Sequence, residues 1–428
     1  MKTIAVHTLG CKVNQYDTEA MLERFEAAGY AAVPFDGEAD VYLVNTCTVT
    51  GTGDQKSMRL IRRLGREHPR ADIIVTGCLA QRDAARVQLP GVRLVIGTQR
   101  RGEVVDLYER ACAQDTCLAA VDALKQAPFE ALSVARHEGK TRAVMKIQEG
   151  CDRWCSYCII PSVRGPVRSM RLSAVRSEAE RLAEAGYREV VLTGIHLASY
   201  GRESGERLID AVCAVHDVPG VWRVRLGSLE PLVVTDEFCE AVRRLPKLCP
   251  QFHLALQSGC DTVLRRMKRR YTTAEFREAA ERLRLCRPGC ALTTDVLTGF
   301  PGETDAEAGE TLAFVEEIAF ARIHVFPYSR RAGTLADRMG GQVSQAVKRE
   351  RAAKLIALGN KLETSYAKEM IGSIREVLFE EEDEGYTPEY VRVRAPGSAS
   401  PGAVRRVLIE RTEGALAVGR VLEDERSS

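Results

Sequence analysis

The sequence predicts an α/β protein in three parts: an N-terminal doubly wound parallel sheet, a central partial β/α barrel and a small C-terminal β-barrel. Three observations predict it. Strand and helix patterns alternate over the first hundred or so residues. They alternate again, six times, from about residue 142. After about residue 372 only short strands remain. A chain of 428 residues is also too long for one ordinary core.

Residues 4–9 read as the first strand. Residues 14–28 have helical spacing, with Met21, Leu22 and Phe25 on one face. Residues 41–44 are a short apolar run with valine at both ends, 55–66 a helix, 73–76 and 92–96 two further strands, and 102–111 a closing helix. The order implies parallel strands with helices on both faces. Residues 112–140 carry no clear period and read as a linker. The second series has strands at 143–147, 189–192, 223–226, 252–256, 292–297 and 322–326. Amphipathic helices such as 174–185, 236–244 and 273–286 lie between them. A helix over 345–370 leads to the last unit. There 374–379, 390–393, 404–409 and 416–421 read as strands with turns of Gly, Pro and Ser. The expected domains are 1–115, 137–367 and 371–428.

Hydrophobic residues make up 45% and charged residues 28%, an ordinary globular balance. No run of eighteen apolar residues suggests a membrane span, and the N-terminus does not read as a signal peptide. A cytoplasmic protein keeps its thiols reduced. The fourteen cysteines are then packing residues, metal ligands or catalytic thiols. The net charge of +2 supplies no bulk attraction to nucleic acid, so local patches would have to do so. Three stand out: Arg59, Arg62, Arg63 and Arg66 on one helix face; Arg265, Arg266, Lys268, Arg269 and Arg270; and Arg164, Arg168 and Arg171.

The sharpest motif is Cys151-Asp-Arg-Trp-Cys155-Ser-Tyr-Cys158, directly after a predicted strand. Three thiolates this close suit a small cluster. An iron–sulfur cube has four iron corners, so three cysteines leave one iron open for a substrate. The competing reading, a zinc site, wants a fourth Cys or His nearby, and His137 and His196 both lie outside the loop. Cys11, Cys47 and Cys78 form a second set. Each sits just past a predicted strand, and parallel strands end on one edge of a sheet. On position alone they are either a shared site or three separate packing residues. The other eight cysteines read as small apolar fillers.

The C-x3-C-x2-C loop with an aromatic before its last cysteine resembles the signature of the radical S-adenosylmethionine (SAM) superfamily. The stretches around it, Ile147-Gln-Glu-Gly-Cys-Asp152 and Ile159-Ile-Pro161, closely resemble the tRNA methylthiotransferase family. So do Leu192-Thr-Gly194, His253-Leu-Ala-Leu-Gln-Ser-Gly259, Thr298-Gly-Phe-Pro-Gly-Glu-Thr304 and Phe326-Pro-Tyr-Ser329. The resemblance covers nearly the whole chain. It implies two [4Fe-4S] clusters, one on Cys151, Cys155 and Cys158 that binds SAM, and an auxiliary one on Cys11, Cys47 and Cys78. Implied SAM contacts lie at the carboxyl ends of the barrel strands: Thr193, Gly194, Ser228, Glu230, Gln257, Asp295 and the backbone near residues 325–326. No catalytic acid or base is singled out. Implied partners are tRNA and an electron donor such as flavodoxin or ferredoxin, with no membrane and no DNA.

The C-terminal unit resembles a TRAM domain, which binds RNA in this family. From Gly372 onward, however, eight arginines and no lysine face twelve acidic residues. RNA would then meet only an arginine-bearing face, such as Arg392, Arg394, Arg405 and Arg406, or the unit positions the substrate by shape. Gly10-Cys-Lys-Val-Asn14 resembles the branch that methylthiolates N6-threonylcarbamoyladenosine at position 37 of tRNA. The alternatives are the isopentenyladenosine branch and a cluster protein that only transfers electrons. The threonylcarbamoyl group ends in a carboxylate, for which Lys12 and the arginines after the cluster loop are candidate partners.

Overall fold

Six parallel strands build the N-terminal sheet of the computed structural model, which describes residues 1–134, 141–397 and 400–422. They are β1 (Thr3–Thr8), β2 (Ala31–Ala32), β3 (Val41–Thr46), β4 (Asp72–Gly77), β5 (Val92–Ile96) and β6 (Leu118–Ala120), in the spatial order β2-β1-β3-β4-β5-β6. Every residue of the central strand β3 is buried, as expected of a strand covered on both faces. Helix α1 (Lys12–Ala27) packs Met21, Leu22 and Phe25 on one face beside Leu107 and Tyr108. Helix α2 (Gly51–Glu67) packs Met58, Ile61 and Leu64 on the other. The sheet is therefore doubly wound. Strand β6 corrects the linker expectation: residues 118–120 pair with β5, so the N-terminal unit runs past residue 115. Three residues, Leu-Ala-Ala, are too few to show a period. Part of the expected linker, residues 135–140, lies outside the described residues.

The six expected strands of the central unit are all present: β7 (Arg142–Glu149), β9 (Glu189–Gly194), β10 (Arg223–Leu226), β12 (Gln251–Leu254), β13 (Ala291–Thr298) and β14 (Arg322–Pro327). Two short strands, β8 (Arg168–Ser169) and β11 (Ser228–Leu229), complete two four-stranded sheets, β10-β9-β7-β8 and β11-β12-β13-β14. A parallel bridge pairs Val224 of β10 with Leu248, on the segment that leads into β12. Side chains alternate across a strand, and here the alternation separates two environments. Ala143, Met145, Ile147, Val190, Leu192, Val224, Leu226, Phe252, Leu292 and Val296 pack outward into one apolar core with the helices. The residues between them include Arg142, Lys146, Gln148, Glu189, Thr193, Arg225, Gln251, His253, Thr293, Asp295 and His324. A filled β/α barrel carries branched apolar side chains inside. This one has a polar lumen.

Helix Gln345–Lys368 leads to a closed barrel of β15 (Ile374–Phe379), β16 (Glu384–Tyr386), β17 (Arg392–Arg394), β18 (Val404–Glu413) and β19 (Leu416–Val421). Val377, Phe379, Val393, Val407 and Ile409 fill it. Strand β16 lies in the acidic stretch, where charge masked the strand pattern. This small barrel docks on the amino ends of the central strands. Glu380 takes Arg142 at 2.6 Å, and Arg225 donates to the Pro388 carbonyl at 2.9 Å. The guanidiniums of Arg142 and Arg225 lie 4.9 and 4.8 Å from the Tyr390 ring centre. The acidic stretch is thus partly consumed internally, since Glu384 also pairs with Arg392 and with Arg394 at 2.9 Å. Arg405 and Arg406 remain exposed. Among the described residues no helix is long and apolar enough to cross a membrane.

Candidate functional site

Cys11, Cys47 and Cys78 stand at the carboxyl ends of β1, β3 and β4, three adjacent strands. Cys11 is the N-cap of α1, and Cys78 opens the short helix α3 (Cys78–Arg82). Gly10 has φ +109°, and a Cβ there would lie 3.0 Å from the Cys47 Cβ. The glycine is what lets the β1 turn approach the β3 turn. Asn14 fastens both turns by donating to the Leu9 carbonyl at 2.8 Å and the Thr46 carbonyl at 3.1 Å. Cys11 is exposed, Cys47 half-buried and Cys78 buried, so the trio faces outward from the sheet edge. Burial pushes the Cys78 thiol up to about 11, against the pull of Arg164.

Cys151, Cys155 and Cys158 lie on the loop between β7 and helix Ile160–Arg164. Gly150 starts it at φ +76°, where a Cβ would sit 1.8 Å from the Pro166 carbonyl oxygen. Cys151 donates its N–H to the Gly165 carbonyl at 3.0 Å, and Cys158 to the Cys155 carbonyl at 3.0 Å. Ser156 pins the loop to the chain after β12 through Met267 and Arg266, at 3.0 and 2.8 Å. Burial raises the Cys151 and Cys158 thiols to about 11 and about 12. Among the described residues no three His, Cys, Asp or Glu side chains converge as the ligands of one metal ion do. An iron–sulfur cube asks for something different, one thiolate at each of three iron corners.

Each trio has one arginine aimed at a sulfur. Arg269 donates to Cys155 Sγ at 3.3 Å, and Arg164 donates to Cys78 Sγ at 3.2 Å. Cationic donors beside buried sulfur favour the thiolate, the form a metal takes. Neither arginine was separated from its basic run by sequence alone. The signal lies in position: Arg164 is six residues past Cys158, and Arg269 stands two residues before Tyr271 on the chain that pins the loop.

Arg164 also joins the two trios. It belongs to the central unit yet reaches the auxiliary-side residues Cys78, Asn14 and Asp17. Asp17 receives Lys146 at 2.5 Å, Arg164 at 3.2 Å and also Arg101. Glu149 receives Arg164 at 3.0 Å, and Glu130 receives Arg101 at 2.9 Å. Three cations thus meet three carboxylates, and all but Glu130 are fully buried. Burial alone would raise the Asp17 carboxyl, but Arg101, Lys146 and Arg164 outweigh it and hold it well below the usual carboxylate range.

The expected SAM contacts gather at the carboxyl ends of the strands. Thr193 and Gly194 end β9, Ser228 is exposed on β11, and Gln257 donates its N–H to the Asp295 carbonyl at 2.9 Å. The Asp295 carboxylate lies 3.5 Å from His253 Nε2, and His253 stacks on His324 at 6.2 Å. Glu230 has a different setting. It meets Arg153 of the cysteine loop at 2.8 Å, His196 at 3.1 Å and Arg269 at 3.1 Å. Burial raises its carboxyl, but the His196 hydrogen bond and the neighbouring charges prevail and hold it at about 2. Deeper in the lumen, a cavity of about 340 Å³ is lined by Lys12, Arg142, Val144, Val191, Glu381 and Tyr390 among others.

Residues 3–97 match the model of uncharacterized protein family UPF0004, and residues 145–315 match that of the radical SAM superfamily. The chain is 42% identical to a protein of Bacillus subtilis named threonylcarbamoyladenosine tRNA methylthiotransferase MtaB. That match covers 99% of this chain and 98% of the relative. A protein of the same name from Thermotoga maritima is 39% identical over 89% of this chain and 87% of its own. Among solved structures, the radical S-adenosylmethionine methyltransferase TsrM of Kitasatospora setae matches with a TM-score of 0.56. It covers 76% of this chain and 72% of its own at 12% identity, a likeness of fold.

Proposed function

The chain belongs to the threonylcarbamoyladenosine tRNA methylthiotransferases, a radical-SAM family, and on that footing we propose how its residues carry out the reaction. The product is 2-methylthio-N6-threonylcarbamoyladenosine, with the methylthio group on C2 of adenine 37 of tRNA. SAM and two [4Fe-4S] clusters, when bound, supply the radical, the sulfur and the methyl group. Cys151, Cys155 and Cys158 would hold the SAM-binding cluster, and Cys11, Cys47 and Cys78 the auxiliary one. The donor sets suit such groups: each offers three thiols, and each has a buried arginine directed at one sulfur.

The observation that carries the reading is Arg164. It follows one cysteine loop and touches a cysteine of the other trio, so a single substrate carbon can be served from both sides. The surrounding side chains hold the two sites at fixed separation and keep water out. Glu230 is assigned to fastening the cysteine loop through Arg153 and Arg269. Thr193, Gly194, Ser228, Gln257 and Asp295 are the proposed SAM contacts. The proposal includes a cytoplasmic setting, which suits the free thiols, and an electron donor such as flavodoxin or ferredoxin.

The test is anaerobic reaction of the reconstituted enzyme with tRNA carrying threonylcarbamoyl at adenosine 37, in competition with the isopentenyl form, followed by nucleoside mass spectrometry. The threonylcarbamoyl form should gain the methylthio group and the isopentenyl form should not. Comparable rates on both would overturn the substrate assignment.

A further inference from the structure

We infer that Lys12 reads the substrate, its ammonium receiving the carboxylate of the threonylcarbamoyl group inside the barrel lumen. The inference rests on the function proposed above and deepens it. Of the cations suggested by sequence, the structure removes the others from contention. Arg164 spends its guanidinium on Cys78, Asn14, Asp17 and Glu149. Arg168 is buried, donates to the Arg164 carbonyl at 3.0 Å and does not line the cavity that Lys12 does. Arg171 is the N-cap of helix Leu172–Glu184 and does not line that cavity either.

Lys12 differs from every neighbouring cation in one respect. Arg142 has Glu380 at 2.6 Å, Arg225 has Glu189 at 2.6 Å, and Lys146 has Asp17 at 2.5 Å. Among the described residues no carboxylate forms an ion pair with Lys12, although it lines the cavity together with Arg142, Glu380, Glu381 and Tyr390 among others; Glu380 is taken by Arg142. Lys12 is exposed, so its ammonium is open to an anionic ligand, which it would hold by a charge-assisted contact. Gln15, Arg142 and Tyr390, which line the cavity with it, suit a ligand bearing a carboxylate and a hydroxyl.

Position also selects Lys12. It is the residue after Cys11, so it stands between the auxiliary trio and the lumen. On a purine, C2 and the N6 substituent flank N1 on the same edge. A group that reads the substituent therefore belongs close to the group that serves C2, and consecutive residues meet that requirement.

The experiment is equilibrium binding of anticodon stem-loop RNA to the cluster-loaded enzyme, free of turnover. Three RNAs are compared, carrying threonylcarbamoyl, its carboxyl methyl ester, or isopentenyl. Wild type should bind the free carboxylate roughly ten- to a hundredfold more tightly than the ester, the range for losing one charge-assisted contact. K12M should bind the two alike, and K12R should recover part of the preference. Iron content and circular dichroism verify that each variant is folded. If K12M keeps the full ester discrimination while folded, or if wild type shows none, Lys12 does not read the carboxylate. The isopentenyl arm keeps the two claims apart: equal binding of the isopentenyl and threonylcarbamoyl RNAs by wild type would overturn the substrate assignment itself.

Discussion

Replacing Asp17 with Asn tests the buried charge cluster that joins the N-terminal sheet to the central barrel. The change keeps the shape and removes one negative charge. Three cations then face two carboxylates in a space closed to water. The Asp17 carboxylate has three cationic partners within 4 Å. Each such pair is worth about 4 kcal/mol at an effective dielectric of about 20, before desolvation is subtracted. Breaking a buried pair from one side costs about 3–5 kcal/mol net, because the partners stay buried and uncompensated. D17N should lose that much stability in chemical denaturation, with faster hydrogen exchange in α1 and β7. The double variant D17N/K146M restores the charge count and should recover at least half of the loss. Stability within about 0.5 kcal/mol of wild type for D17N alone would refute the argument, since that is the scatter of a neutral surface change. The sign with pH follows from the depressed carboxyl. Its contribution is complete above the ordinary carboxylate range and fades as pH falls below that range towards the depressed native value.

Anaerobic reconstitution should give about eight irons per chain, and the triple change of Cys11, Cys47 and Cys78 to Ala about four, with reductive SAM cleavage retained; loss of cleavage equal to that of the Cys151, Cys155 and Cys158 triple variant would reverse the assigned roles. Glu230 is held at about 2, so its stabilising effect is complete above about 4.5 and fades as pH falls towards 2; E230Q should flatten that part of the stability profile, and an unchanged acid limb would count against the ion-pair hub. Gly150→Ala places a Cβ 1.8 Å from the Pro166 carbonyl oxygen at φ +76°, and should cost more than about 1 kcal/mol and lower iron uptake on that loop; normal iron content would mean that the loop relaxes freely.

Much of the fold was legible because long elements carry their own periods. All six barrel strands and the four inner strands of the N-terminal sheet showed as apolar runs bounded by turn residues. The strands that escaped are the two-residue β2, β8 and β11, the three-residue β6 and the acidic β16. A short strand borrows its hydrogen bonds and burial from a neighbour already in place, so its own residues carry little pattern. The same holds for charge. Glu380 and Glu384 read as a barrier to RNA, but in the structure they meet Arg142, Arg392 and Arg394.

By itself the sequence determined the donor chemistry: three thiols in a C-x3-C-x2-C loop, and three more at the ends of parallel strands. Spacing and strand order are local properties, and parallel strands must end on one edge. The tertiary structure alone decided which charged side chains serve those thiols. Arg164 and Arg269 stand in basic runs with nothing local to distinguish them from their exposed neighbours. They differ because each is buried against a sulfur and against carboxylates brought from distant segments. Lys12 differs for the opposite reason, since the fold surrounds it with cations that already have partners and, among the described residues, gives it no ion pair. Whether a charge is satisfied depends on what the whole chain packs around it, and a one-dimensional pattern carries no record of that.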